Sequence, residues 1–203
     1  MTTTEGRPIR AGEVKTEARP MRADAVKNRQ RILDAAEEVF AAEGLTAPID
    51  VVAERAGVGV GTLYRHFPTK EALFEAIVVT RLQSLLDEVR ARADAGEPGE
   101  ALFSFLREFA GAAMSKHDLM DALAAAGVDL KSQCTAMFEE LQEGIGQLLE
   151  RAVSAGACRS DVSTHDVVGL VVGACRASEQ LGLGVSCERM LEVVLDGLRR
   201  SDA

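Results

Sequence analysis

Nineteen residues, Ile49 to Phe67 (IDVVAERAGVGVGTLYRHF), constrain this chain more than any other stretch. Ile49, Val52, Ala53 and Ala56 recur at helical spacing, with Pro48 leading in and Asp50 placed well for the helix dipole. Gly57-Val58-Gly59 interrupts the pattern, and a second short helix runs from Val60 to Phe67, stopped by Pro68. Small Ala53 lets the second helix pack close across the first. Gly57 can take the left-handed backbone that ends a helix without steric cost. Val58 and Leu63 fill the angle between the two. This is the build of a helix-turn-helix, whose second helix enters the major groove of DNA.

The outward face of the second helix carries Val60, Gly61, Thr62, Tyr64, Arg65 and His66, which are mostly small or hydrogen-bonding. A glycine such as Gly61 costs helix stability, which is tolerable where the backbone must approach another surface. Thr62, Tyr64 and His66 can donate to phosphate oxygens, and the Tyr64 ring suits thymine methyls. Lys70 opens the next helix, where a cation opposes the dipole but a phosphate would meet both its ammonium and the free N–H groups. Arg22, Lys27, Arg29 and Arg31 offer further phosphate or minor-groove contacts. Each has a plainer reading. Tyr64 can be a structural aromatic, His66 a helix cap, and Lys70 and Arg65 solvated surface residues. Leu63 and Phe67 read as core.

The stretch Gly57 to Val78 (GVGVGTLYRHFPTKEALFEAIV) closely resembles the signature of the TetR family of transcriptional regulators. The resemblance extends to Arg31–Gly44 (RILDAAEEVFAAEG) and covers about fifty residues in all. It implies that Val60 to Phe67 is the recognition helix, that Thr62, Tyr64, His66 and Lys70 contact DNA, and that Val60 and Gly61 fall where bases are read. One departure is Pro48, where many relatives carry a hydroxyl residue that contacts phosphate; Thr46 is the candidate substitute.

Elsewhere the pattern is all helical, with no β-alternating segment and no repeats. Residues 1–23 read as a disordered arm, 24–68 as the helix-turn-helix domain and 69–203 as a larger helical domain, to which the resemblance assigns ligand binding and dimerisation. Helices are expected at Ala25–Glu43, from Thr69 to about Ala95, from about Gly99 to Lys116, at Asp118–Ala126, from about Leu130 to Ala155, from Thr164 to about Glu179 and at Cys187–Arg200. The broad apolar faces of the middle helices are buried on more than one side. The family resemblance implies a small-molecule cavity there, and Phe103, Phe109, Met114, His117, Met137, Phe138 and Leu141 are its candidate lining, although such stripes also serve as plain core. Gln133 and Gln142 could orient a polar ligand group. In the last two helices Gly169, Gly173 and Ala177 are spaced for close helix approach, and Leu191, Val194, Leu195 and Leu198 repeat at helical spacing. The resemblance implies a homodimer through about 164–179 and 187–200. Two-fold symmetry would then set two recognition helices roughly 34–36 Å apart on a near-palindromic operator.

The net charge of −9 is compatible with DNA binding because it is unevenly spread. Up to Arg81 there are 12 basic and 12 acidic residues; from Leu82 onward there are 11 and 20. No apolar run is long enough to span a membrane, and the polar N-terminus lacks the core of a secretory signal, so a cytoplasmic protein is expected. Cys134, Cys158, Cys175 and Cys187 include no Cys-x-x-Cys pair and no accompanying His cluster, which argues against zinc. They read as buried reduced thiols, with redox sensing as the other reading. No cofactor or metal is expected.

The function expected is therefore a DNA-binding regulator, and the family resemblance implies a repressor released from a palindromic operator by a small ligand. A ligand-independent activator or architectural protein is the alternative. An enzyme has little support, since there is no nucleophile elbow, phosphate-binding glycine loop or metal-ligand cluster.

Overall fold

Every named element of the computed structural model is a helix, and the model describes residues 18–130, 134–181 and 186–200. Among these residues α1 spans Ala18–Glu43, α2 Ile49–Ala56, α3 Val60–His66, α4 Lys70–Arg92, α5 Pro98–Ala125, α6 Thr135–Ser154, α7 Thr164–Leu181 and α8 Cys187–Leu198. The only β pairing among them is an isolated bridge between Cys158 and Arg199. No helix among them is long and apolar enough to cross a membrane.

The periodic residues bury as their spacing requires. Ile32, Ala35, Ala36, Val39 and Phe40 of α1 pack with Val52 and Ala53 of α2 and with Leu73, Phe74 and Ile77 of α4. A second stretch of α4 (Leu82, Leu85, Leu86, Val89) continues into a core with Leu102, Phe103, Phe105 and Leu106 of α5 and Ile145 and Leu148 of α6. One long helix thus belongs to both halves of the molecule. Its ends are fixed chemically. The Thr69 side chain accepts from the Ala72 N–H at the start. At the finish the Arg151 guanidinium of α6 donates to the carbonyls of Arg92 and Ala93, satisfying acceptors that a helix end leaves open. Between those ends α6 crosses α4 at Gly144, where a Cβ would lie 2.7 Å from a Val89 methyl. Only glycine allows that approach.

Two boundaries differ from the sequence expectation. The arm assigned to residues 1–23 gives way to helix at Ala18; residues 1–17 lie outside the described residues. Pro20 does not prevent this, because a first-turn residue has no intrahelical partner for its N–H. The expected break between Lys116 and Asp118 is absent, and α5 runs unbroken from Pro98 to Ala125. No glycine or proline stands there to stop it. Leu130 itself is helical and its carbonyl accepts from the Cys134 N–H, in keeping with a helix from Leu130; 131–133 lie outside the described residues, and the named helix α6 runs from Thr135.

The last two helices pack on each other and on α5. Arg107 of α5 pairs with Glu192 of α8 at 2.7 Å, and the Arg199 guanidinium lies 4.2 Å from the centroid of the Phe103 ring. Their other face is apolar and uncovered. Leu170 is 47% exposed and Val193 67%. Gly169, Leu170, Gly173, Ala174, Met190 and Val193 help line a groove of about 440 Å³ there. A Cβ added at Gly169 or Gly173 would meet nothing within 4 Å, so the fold of the single chain does not require either glycine.

Candidate nucleic-acid interface

The turn between α2 and α3 is built from backbone hydrogen bonds. Gly57 sits at φ 63°, ψ 36° and its N–H donates to Glu54, while the Val58 N–H reaches back to the Ala53 carbonyl at 3.0 Å. These are the paired bonds of a glycine-terminated helix. The Arg31 guanidinium of α1 lies over this turn, 3.5 Å from the Gly57 carbonyl. Leu63 and Phe67 anchor α3 from below, both buried. The two anchors fix which way the rest of the helix faces.

That outward face holds the residues singled out from sequence. Val60 is 40% exposed and Tyr64 45%, unusual for side chains of this size in a chain with so complete a core. Arg65 and Gly61 are exposed, and Thr62 and His66 are half-buried at its edges. A Cβ at Gly61 would meet nothing within 4 Å, so the absence of a side chain there serves nothing inside the protomer. Thr46, in the turn before α2, is exposed beside Pro48, which occupies the N-cap and supplies no side-chain cap.

Lys70 differs from the simple picture of a solvated lysine. Its ammonium donates to the Ala47 carbonyl at 2.7 Å and lies 5.6 and 5.7 Å from the centroids of Phe40 and Phe74. Those rings meet edge to face at 5.0 Å. One cation therefore joins the segment before α2 to α1 and α4. An ammonium has three donors, so this bond leaves others for a phosphate. Arg29 stands 5.3 Å over the Phe67 ring, so both Arg29 and Arg31 have internal partners. The sequence could not show the Lys70–Ala47 bond, since its acceptor is a main-chain oxygen 23 residues away.

The expected pocket residues are less gathered. Phe103 is buried beneath Arg199, and Leu141 is buried in the core. Phe109, Met137 and Phe138 are partly buried against that core, with the Phe109 ring stacked on Phe105 at 6.4 Å. The side chains of Met114 and His117, and all of Gln133, lie outside the described residues. A cleft of about 280 Å³ between α4 and α6 is lined by Val89, Arg90, Ala93, Glu140, Glu143, Gly144 and Gln147. Its polar rim includes an Arg90–Glu140 ion pair, which raises the Arg90 pKa chiefly through the Glu140 hydrogen bond. Gln142 and His165 meet at 2.7 Å on the neighbouring surface, a contact between α6 and α7 that no local pattern announces. Among the described residues no group of three His, Cys, Asp or Glu could hold a metal.

Comparison with known proteins agrees with this geometry. Residues 32–77 match the model for bacterial regulatory proteins of the tetR family, and residues 97–200 match the C-terminal domain of SbtR-like transcriptional regulators. A TetR transcription regulatory protein from Mycobacterium vanbaalenii is similar in structure, with a TM-score of 0.70 and 41% identity, over 89% of this chain and 99% of that one. A TetR transcriptional regulator from Streptomyces coelicolor is similar at a TM-score of 0.70 and 36% identity, covering 85% and 99%. The HTH-type transcriptional repressor KstR2 of Rhodococcus jostii (strain RHA1) is 26% identical over 187 residues, 84% of this chain and 90% of that protein. Members of this family are DNA-binding transcriptional regulators and not enzymes. The chain belongs to the TetR family.

Proposed function

We propose that the protein acts as a two-fold dimeric repressor that holds a near-palindromic operator and releases it when a small molecule binds. The observation that carries this reading is the outward face of α3, where Val60, Gly61 and Tyr64 stand open over the buried anchors Leu63 and Phe67. In this reading Val60, Gly61 and Tyr64 meet base edges. Thr46, Thr62, Arg65, His66 and Lys70 contact phosphates and fix the register. The apolar α7–α8 face, with its unpacked Gly169 and Gly173, meets the same face of a second copy. Both recognition helices then reach successive major grooves.

Release is assigned to α4. A ligand among α4, α5 and α6, near Phe109, Met137 and Phe138, would shift a helix that carries Lys70 at its other end. The ligand must bind the DNA-incompetent arrangement more tightly, and a tenfold loss of DNA affinity requires about 1.4 kcal/mol of such coupling.

The test is selection of bound sequences from a random DNA pool by the full-length protein in moderate salt. Enrichment of a two-fold palindrome is the expected outcome. A folded, dimeric protein that enriches nothing removes the basis of the repressor mechanism.

A further inference from the structure

We propose that Cys175 and Cys187 form a thiol–disulfide site, closed across the α7–α8 pair by an oxidant of the peroxide class. The two sulfurs lie 3.2 Å apart inside the molecule. Both residues are buried, Cys175 at 2% exposure and Cys187 at 8%, and neither is in a disulfide. A disulfide needs a separation of about 2.05 Å, so closure takes a sulfur movement of about 1.1 Å, within reach of small side-chain rotations. Cys175 lies on the fourth turn of α7, and Cys187 is the first residue of α8. Their bond would tie together the two helices that carry Leu170 and Val193. The sulfurs point away from that exposed face, since Cys175 reaches toward the Ala110 carbonyl of α5. Sealing of the outer face therefore does not bury them further.

Each step balances. Hydrogen peroxide transfers one oxygen to the more exposed Cys187, giving a sulfenic acid and one water. The Cys175 thiol then attacks the Cys187 sulfur, the S–O bond breaks, and the hydroxyl leaves with the thiol proton as a second water. Two electrons pass from the sulfurs to the peroxide. Burial pushes the Cys158 thiol pKa up and leaves less thiolate there. The disulfide itself does not depend on the repressor reading; only its effect on the α7–α8 face does.

The reduced full-length protein is exposed to a modest excess of hydrogen peroxide, unfolded in N-ethylmaleimide, digested and weighed. The expected result is loss of two of the four alkylatable thiols, with one linked peptide pair joining Cys175 to Cys187 and full recovery after dithiothreitol. Four alkylated cysteines, a linkage through Cys134 or Cys158, or a covalent dimer on a non-reducing gel would each overturn the proposal. In a Cys175→Ala variant the sulfenic acid on Cys187 should persist and react with dimedone. The wild-type peptide map decides the matter even if that variant does not fold.

Discussion

Two exposed apolar regions among the described residues, the face of α3 and the face of α7–α8, look alike by exposure and differ in construction. Both contain glycines whose missing side chain nothing in the chain requires. On α3 the exposed apolar groups are single, Val60 and Tyr64, set among Thr62, Arg65 and His66. On α7–α8 they form one groove. A surface of isolated groups among donors suits a polar partner read contact by contact. A continuous apolar surface suits a partner of the same kind, joined by area. The first kind should respond to the loss of one side chain, and the second to the arrival of one charge.

The largest effect tests the apolar face. Leu170→Asp with Val193→Asp places four carboxylates in the proposed two-fold interface, which would otherwise bury four apolar side chains. Dimer association measured by sedimentation should weaken by roughly a thousandfold or more. A variant that stays dimeric at the same concentration moves the interface elsewhere and ends the contrast. Next comes Tyr64→Ala. It should lower specific DNA binding by about 10- to 100-fold, equivalent to ~1–3 kcal/mol, with the unfolding midpoint unmoved because the ring is half exposed. Full binding would remove Tyr64 from the interface.

Lys70→Ala sharpens the comparison, because the proposed reading gives this residue a role in DNA binding beside the one it has in the fold. It should cost about 1–2 kcal/mol in urea unfolding through the lost Ala47 bond and ring contacts. It should also make the salt slope of binding shallower by ~1. An unchanged slope assigns Lys70 to the fold alone. The smallest effect is expected at Asp161, in the loop between α6 and α7. Its pKa is lowered to about 2 from 3.8, first by the hydrogen bond from Arg159. A depressed folded pKa contributes stability above the unfolded value and loses it as pH falls toward the folded one. In urea titrations the gap between wild type and Asp161→Asn should be small and constant near neutrality, then shrink as pH falls from 3.8 toward 2. A gap that widens on acidification would contradict the ion pair.

What the sequence disclosed and what it withheld divide along contact range. The α2–turn–α3 unit was legible because its determinants, Ala53, Gly57, Val58 and Leu63, lie within eleven residues and act on each other. The fold class and the apolar stripes followed from periodicity for the same reason. The start of α1 and the continuity of α5 are not legible, because residue type alone does not place a helix end within a polar stretch. Contacts that end on main-chain oxygens were illegible. Lys70 to Ala47 and Arg151 to Arg92 depend on where a distant carbonyl points, which no residue type encodes. The approach of Cys175 to Cys187 was hidden similarly, since their spacing in sequence matches no known pairing pattern. The pocket residues were the hardest to assign, because a Phe or Leu stripe is identical in sequence whether it packs solid or lines a space.

Gly144 gives α4 the mechanics of a lever. Where Gly144 meets Val89 the two helices touch almost backbone to side chain, a point that cannot slide without lifting one helix off the other. From that point to Lys70 the helix runs about 28 Å at 1.5 Å per residue. A tilt of about 5° there would carry the far end through about 2.5 Å, a large displacement on the scale of a hydrogen bond. A small angular change beside the fulcrum would be magnified at the tip, and the gain is set by helix length alone.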